Sequence, residues 1–175
     1  MTDRDPSPAE VIEVLAATRE QQPILGNLLE LYAYDFSAFH PLQLGEDGRF
    51  GYRDLPLYWD EESRSPFLVR VDGELAGLAL VRRGSRISED KNVWDMAEFF
   101  IVRGCRRRGV GRGAAHQIWR RFPGPWEIRV MESNLPALRF WEQAARSFAG
   151  GRLVSSRFEE NGQPWRLFAF VSSAV

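Results

Sequence analysis

The sequence predicts an α/β domain of the α+β kind, with a twisted, mostly antiparallel mixed sheet and helices on both faces. Three observations predict it. Segments 66–83 and 152–171 each read as two apolar strands joined by a tight turn, at Asp72-Gly73 and Asn161-Gly162. Between these hairpins a strand, a helical stripe, a strand and a second helical stripe follow one another. The chain has 175 residues, of which 44% are hydrophobic, enough for one substantial core.

The elements follow in order. Residues 1–9, "MTDRDPSPA", are polar and proline-containing and predict a flexible N-terminus ahead of a single domain over 10–175. "VIEVLAA" (11–17) reads as the first strand. Thr18 and Gln21 have capping-box spacing, opening a helix whose apolar positions include Ile24, Leu25, Leu28, Leu29 and Leu31. Pro23 is tolerable only near the first turn of that helix. Residues 36–64 have no clean period. They carry glycines and prolines, yet also Phe39, Phe50, Tyr52, Tyr58 and Trp59, which are too apolar for disorder. An ordered connection of this length is often functional. After the first hairpin, "VWDMAEFFIV" (93–102) is a strand whose end is apolar except for Glu98, so both faces are expected to be covered. Ala114, Ala115, Ile118, Trp119 and Phe122 mark a helix, "WEIRVM" (126–131) a strand, and Leu138, Trp141, Ala144, Ala145 and Phe148 a last helix.

Composition excludes several classes. Net charge is −1, so the arginines at 103, 106, 107, 108 and 112 are a local concentration, and a dedicated nucleic-acid binder is not expected. The single cysteine, Cys105, allows no internal disulfide, and no Cys/His spacing suggests a metal. No apolar run approaches a membrane span or a signal peptide, so a cytoplasmic protein is expected.

The arginine concentration lies in "FFIVRGCRRRGVGRGAAHQIWRRF" (99–122), where a strand runs through a turn into a helix. The first amides of a helix lack partners and favour anions. Glycines let a ligand approach the backbone, and arginines add charge-assisted bonds. The combination suits a pyrophosphate. A P-loop would need a Gly-Lys-Ser/Thr that is absent, and "GVGRGAA" lacks the last glycine of a dinucleotide fingerprint. The pattern that is met is Arg/Gln-x-x-Gly-x-Gly/Ala, by Arg106, Gly109 and Gly111.

With this motif, its place between strand and helix, and the following "WEIRVMESNLPALRFW", the chain resembles the GNAT superfamily of acetyl-CoA-dependent N-acetyltransferases over roughly residues 11–171. The resemblance implies a GNAT-like sheet of six to seven strands with about four helices, splayed after the central strand. It implies acetyl-CoA as co-substrate, no metal, and direct transfer to a primary amine on a small molecule or peptide. The backbone of Phe100, Ile101 and Val102 would pair with the pantetheine arm. The turn of Arg106, Arg107, Arg108, Gly109, Val110, Gly111, Arg112 and Gly113 would bind the pyrophosphate. Asn134, with Ala137 and Phe140 in step, matches the family's Asn-x-x-Ala-x-x-Phe-Tyr and would reach the pantetheine; a plain N-cap is its other reading, with Pro136 just inside the helix.

One position departs from that pattern. Trp141 stands at the cofactor-side position where the family has a tyrosine able to protonate the thiolate, and an indole N–H is no acid near neutrality. A thiol has a pKa of about 8.5, so its thiolate can leave without full protonation. Tyr32, Tyr34, Tyr52 or Tyr58 could otherwise supply the proton. The departure also admits an alternative, a CoA-binding sensor or interaction module that has lost catalysis. Glu98, inside the apolar central strand, is the expected general base, its rival reading being a buried glutamate paired with an arginine. Tyr32, Tyr34, Asp35 and Trp59 are expected at the acceptor entrance, an aromatic and acidic lining that suits a cationic amine. The acceptor's identity and the oligomeric state, a homodimer included, stay open at this level.

Overall fold

The two hairpins read from the sequence form the two flanks of one seven-stranded sheet. The computed structural model describes residues 10–173. The expectation for residues 1–9 falls outside the described residues. The strands are β1 (Ile12–Ala16), β2 (Arg64–Val71), β3 (Glu74–Arg83), β4 (Trp94–Ile101), β5 (Gly124–Met131), β6 (Val154–Glu160) and β7 (Gln163–Ser172). Their spatial order is β1-β2-β3-β4-β5-β7-β6. Every neighbouring pair is antiparallel except β4 with β5, which is parallel. Asp72 and Gly73 both have positive φ (51° and 81°), as do Asn161 and Gly162 (53° and 70°), the conformation that two-residue hairpin turns demand.

Four helices accompany the sheet: α1 (Gln22–Phe36), α2 (Leu57–Asp60), α3 (Val110–Arg121) and α4 (Leu135–Ala149). A short 3₁₀ turn, Arg19–Gln21, precedes α1, and the Gln21 side chain accepts a bond from the Thr18 amide at 3.0 Å. Pro23 then falls in the first turn of α1, where its missing N–H costs nothing. The single-turn α2 breaks the long connection that showed no period in the sequence.

The helices lie on both faces, as their apolar stripes require. On one face Leu25, Leu28 and Leu29 of α1 pack with Leu68, Leu78, Leu80 and Phe100. On the other, Ile118 and Trp119 of α3 and Ala144 and Ala145 of α4 pack with Val69, Val81, Ile128 and Phe168. Each fully buried leucine contributes about 1.5–3 kcal/mol through removal of apolar surface from water.

Strand β4 is irregular in two ways that matter for the site. Leu80 pairs with Glu98 but Val81 pairs with Met96, so Ala97 is an extra residue, a β-bulge. The bulge puts Met96 in the α3/α4 core while Phe100, at even spacing from it, joins the α1 core. Second, β4 pairs with β5 only at Trp94↔Trp126 and Asp95↔Glu127. Beyond that the strands part. The edge of β4 that faces β5 has no strand partner from Met96 to Ile101.

Candidate active site

The splay and the turn after β4 meet at one end of the sheet. A 3₁₀ turn, Arg103–Cys105, follows the strand, and α3 begins at Val110 behind Gly109. Gly109 has φ +85°, a left-handed conformation that glycine adopts freely, and a side chain there would meet only open space. Val110, Gly111 and Arg112 are the first residues of α3, so their amides have no preceding carbonyl to bond. Gly111 is needed for packing instead: a Cβ would come within 3.1 Å of the Phe140 ring. Gly113 lies against Ile12 of β1 in the same way, with a Cβ 2.7 Å from the end of that side chain.

The arginines divide into two groups. Arg107 and Arg112 are exposed and bond to nothing among the described residues. Arg108 pairs with Glu10. Arg106 folds back on the strand: its Nε donates to the Ile101 carbonyl (2.6 Å), its Nη2 donates to Asp35 (2.6 Å), and its guanidinium lies 5.4 Å from the Phe100 ring centre. Arg103 also donates to Asp35, at 2.6 Å. Burial opposes ionisation of Asp35, but its bonds to Arg106 and Arg103 outweigh that and hold its carboxyl below the usual value. Asp35 therefore ties α1 to the turn rather than standing open to a cationic acceptor.

Glu98 lies in the splayed part of β4, half-buried on the α1-facing side. Tyr52 Oη donates to its Oε1 at 3.1 Å, and the Tyr32 hydroxyl lies close enough to favour the charged carboxyl. Burial pushes its pKa up; the two tyrosines and the positive charge of Arg129 only partly oppose this. Among the described residues Glu98 enters no ion pair. Burial, then the nearby Glu98 charge, pushes the hydroxyls of Tyr32 and Tyr52 well above the tyrosine value, and Tyr58 is pushed up to about 12. These tyrosines are held protonated, and Tyr52 donates to Glu98.

Other sequence-predicted residues are spread more widely. Asn134 caps α4, its side-chain oxygen accepting from the Ala137 amide at 3.1 Å, at the mouth of the splay just after β5. Trp141 is only 8% exposed and packs edge-on against Phe99 and Phe140, leaving it little surface to offer a cofactor. Tyr34 is exposed on α1. Trp59 donates to the Ala17 carbonyl at 2.9 Å, past the end of β1, three strands from β4. Tyr32 alone of the four acceptor-side residues reaches Glu98.

Two contributors were not singled out from the sequence. Gly77 lets β3 approach β4: a Cβ there would lie 2.1 Å from the Phe100 carbonyl oxygen. Arg129 projects from β5 onto the Glu98 face; its signal was the alternation Trp126-Glu127-Ile128-Arg129-Val130, with charge at every second position.

The open β4 edge, the left-handed Gly109, the unbonded α3 amides and the unpaired Arg107 and Arg112 fit an extended cofactor ending in a pyrophosphate. The model of the acetyltransferase (GNAT) family matches residues 28–145. The chain belongs to the GNAT family of acetyltransferases. Membership makes it an enzyme of the acetyl-CoA-dependent N-acetyltransferase class. Among solved structures, an aminoglycoside acetyltransferase in complex with coenzyme A superposes with a TM-score of 0.69 at 15% identity, covering 92% of this chain and 95% of that one. Spermidine N-acetyltransferase from Vibrio cholerae, in complex with CoA and spermine, gives 0.62 at 15% identity, with the same coverage of 92% and 95%. An acetyltransferase from Thermus thermophilus gives 0.64 at 18% identity, covering 91% and 96%. At these identities the likeness is one of fold. No curated protein matches the chain in sequence. Among the described residues no helix is long and apolar enough to cross a membrane, and no group of three or more His, Cys, Asp or Glu side chains is placed to hold a metal.

Proposed function

We propose that this member of the family transfers an acetyl group from acetyl-CoA directly to a primary amine, in a ternary complex, with Glu98 as general base. The observation that carries the reading is the state of Glu98: half-buried on the splayed strand, raised in pKa, bonded by the Tyr52 hydroxyl and, among the described residues, paired with no cation. A lysine-like amine has a pKa of about 10.4, so roughly one in a thousand is neutral at pH 7. A carboxylate whose pKa is raised toward neutrality accepts the amine's proton more readily than an ordinary one. Tyr52 orients it.

Bound acetyl-CoA supplies an activated thioester. The backbone of Ile101, on the open edge of β4, would pair with its arm, since the Val102 amide donates to the Ala76 carbonyl and the Phe100 carbonyl faces Gly77 of β3, and the amides from Arg108 to Arg112, with the Arg107 and Arg112 side chains, would hold its pyrophosphate. Arg106 supports that turn from behind through Asp35 and Ile101. The free amide nitrogen of Asn134 is available to the arm while its oxygen caps α4. The leaving thiol needs little help, since its own pKa is about 8.5.

The acceptor is a small-molecule or peptide amine. The aminoglycoside and spermidine enzymes it resembles in fold are named for amines of that kind. The connection 36–56 forms a groove of about 580 Å³ with α1, lined in part by Glu30, Asp47 and Tyr52, and Tyr52 reaches from it to Glu98. Arg49 and Arg53 on the same lining balance Glu30 and Asp47, so the groove carries no net charge, and Tyr52 is its link to Glu98. The protein works without metal in the cytoplasm, and neither nucleic acid nor membrane is a partner. A CoA-binding module without turnover is the second reading, favoured by the burial of Trp141 in the core. Steady release of CoA thiol from acetyl-CoA with a panel of amines tests the two: thiol production that depends on amine supports the enzyme, and tight CoA binding with none supports the module.

A further inference from the structure

Buried polar atoms without partners mark where a folded protein expects water or a ligand. Among the described residues six side-chain atoms are buried and unbonded: Tyr58 Oη, Arg82 Nη2, Asp95 Oδ1, Arg129 Nε, Trp165 Nε1 and Trp119 Nε1. Only Trp119 belongs to the α3/α4 core. The strand registers put Arg82, Asp95, Arg129 and Trp165 on the opposite face, the one that carries Glu98, and Tyr58 packs there from α2. Among the described residues, five of the six buried unbonded side-chain atoms therefore lie on the proposed acceptor side.

Arg129 is the extreme case. Its side chain is 10% exposed, yet its guanidinium makes no hydrogen bond among the described residues. The nearest carboxylates are Asp95, at 3.6 Å, and Glu160, at 3.8 Å, both beyond hydrogen-bond reach. Arg82 is better served, with Nε donating to Asp95 Oδ2 at 2.9 Å. Of its donors only Nε is both fully buried and unbonded, and a buried donor without a partner is costly. Arg129 sits two residues past Glu127, the last β5 residue paired with β4, so it stands where the splay has begun. Glu160, at the β6–β7 turn, reaches over it from the far side.

We infer that Arg129 receives a carboxylate carried by the acceptor, and that the substrate is a small amino acid whose amine faces Glu98. The inference rests on the acetyl-transfer reading above and narrows it. A guanidinium fork bonds a carboxylate through two parallel N–H donors, which fits a group now lacking both. A monoanion is favoured over a phosphate dianion because Asp95 and Glu160 already stand within 4 Å of the same guanidinium. A simple diamine or polyamine would leave Arg129 unbonded and add a second cation beside it.

The experiment compares the standard amino acids with their C-terminal amides as acceptors, using wild-type protein and acetyl-CoA. The expected result is acetylation of one or more free acids, with kcat/KM at least about tenfold above the matching amide, the worth of a charge-assisted bond. In Arg129→Gln, KM for the acid should rise roughly 10- to 100-fold with kcat little changed, and kinetics with the amide should not move. Arg129→Lys should recover part of the loss. Equal use of acid and amide by the wild type, a preference for amines without a carboxylate, or no product from either set overturns the inference, and none of these needs a folded variant. An Arg129→Gln protein that loses activity equally on acid and amide also overturns it, because Arg129 would then be only structural. Failure of acetyl-CoA to bind at all would instead remove the acetyl-transfer reading itself.

Discussion

Asp35, in the last turn of α1, accepts a hydrogen bond from Arg106 at 2.6 Å, and so joins that helix to the turn between β4 and α3. Arg103 donates to the same carboxylate at 2.6 Å. With its second bond to the Ile101 carbonyl, Arg106 braces the turn after β4.

The brace predicts a pH effect. The Asp35 pKa is below its ordinary value in the folded protein, so its contribution is present above the unfolded value of about 3.8 and is lost as pH falls through the folded one. Wild type should lose stability more steeply than Asp35→Asn as pH drops below about 4. Partial exposure keeps the effect small, about 1 kcal/mol or less near neutrality. Denaturant melts of both proteins at neutral and acid pH check it; parallel curves would show that the pair contributes nothing.

The proposed cradle predicts stabilisation by acetyl-CoA. Acetyl-CoA at a hundred times its dissociation constant should add about 2.7 kcal/mol. For a chain of this size the melting temperature should rise by roughly 5–10 °C. Thermal denaturation with and without acetyl-CoA measures it, and a folded protein that shows no shift at saturating ligand would count against the cradle.

Glycines near the site should fail for different reasons. Gly77→Ala would drive a Cβ into the Phe100 carbonyl, forcing β3 from β4 at a cost of about 1–3 kcal/mol or more. Gly109→Ala meets no atoms but must hold φ near +85°, at about 1–2 kcal/mol. Gly111→Val presses on the Phe140 ring, so the apo protein as well as cofactor binding should suffer. Urea melts of the three apo variants, followed by acetyl-CoA titration, separate fold damage from lost binding. Gly109→Ala should be the one whose structure is least changed.

Much of this was legible in the sequence because the signals are local. Asp72-Gly73 and Asn161-Gly162 demand left-handed turns, and Thr18 with Gln21 announces α1. The glycines and arginines after β4 were legible as a strand–turn–helix junction with a left-handed Gly109, because that turn needs no distant partner. What escaped is long-range. Asp35 lies 68 residues from Arg103 and 71 from Arg106 in the chain, so no window shows them together. The bulge at Ala97 is set by pairing with β3, not by the period of β4. Trp59 and Trp141 looked like binding aromatics because a sequence shows chemistry and not direction; one is bonded past the end of β1 and the other is in the core. Arg129 read as an ordinary strand residue until its missing partners were visible.

The last prediction separates Glu98 as base from Glu98 as structural support. A structural glutamate paired with an arginine would, when replaced by glutamine, strand its partner and lower stability. Glu98 has the Tyr52 hydroxyl as partner instead, and glutamine's carbonyl oxygen can still accept that bond. Its pKa is raised in the folded protein, chiefly by burial. Stability associated with its neutral form is therefore complete below the ordinary glutamate value and is lost as pH rises through the raised one. Glu98→Gln removes that loss, so at pH 7 the variant should melt at or above the wild-type temperature. Its acetyl-CoA affinity should be unchanged, because the cofactor would meet this strand through backbone. Turnover near neutrality should nevertheless fall roughly 10²- to 10⁴-fold, the usual worth of a positioned base. The deficit should shrink at high pH, where the amine deprotonates unaided, and the acid limb of the wild-type pH–rate profile should disappear. Melting curves beside pH–rate profiles for the two proteins decide it: a stable variant with wild-type turnover would remove Glu98 from the chemistry, and a destabilised one with an unchanged profile would return it to the scaffold.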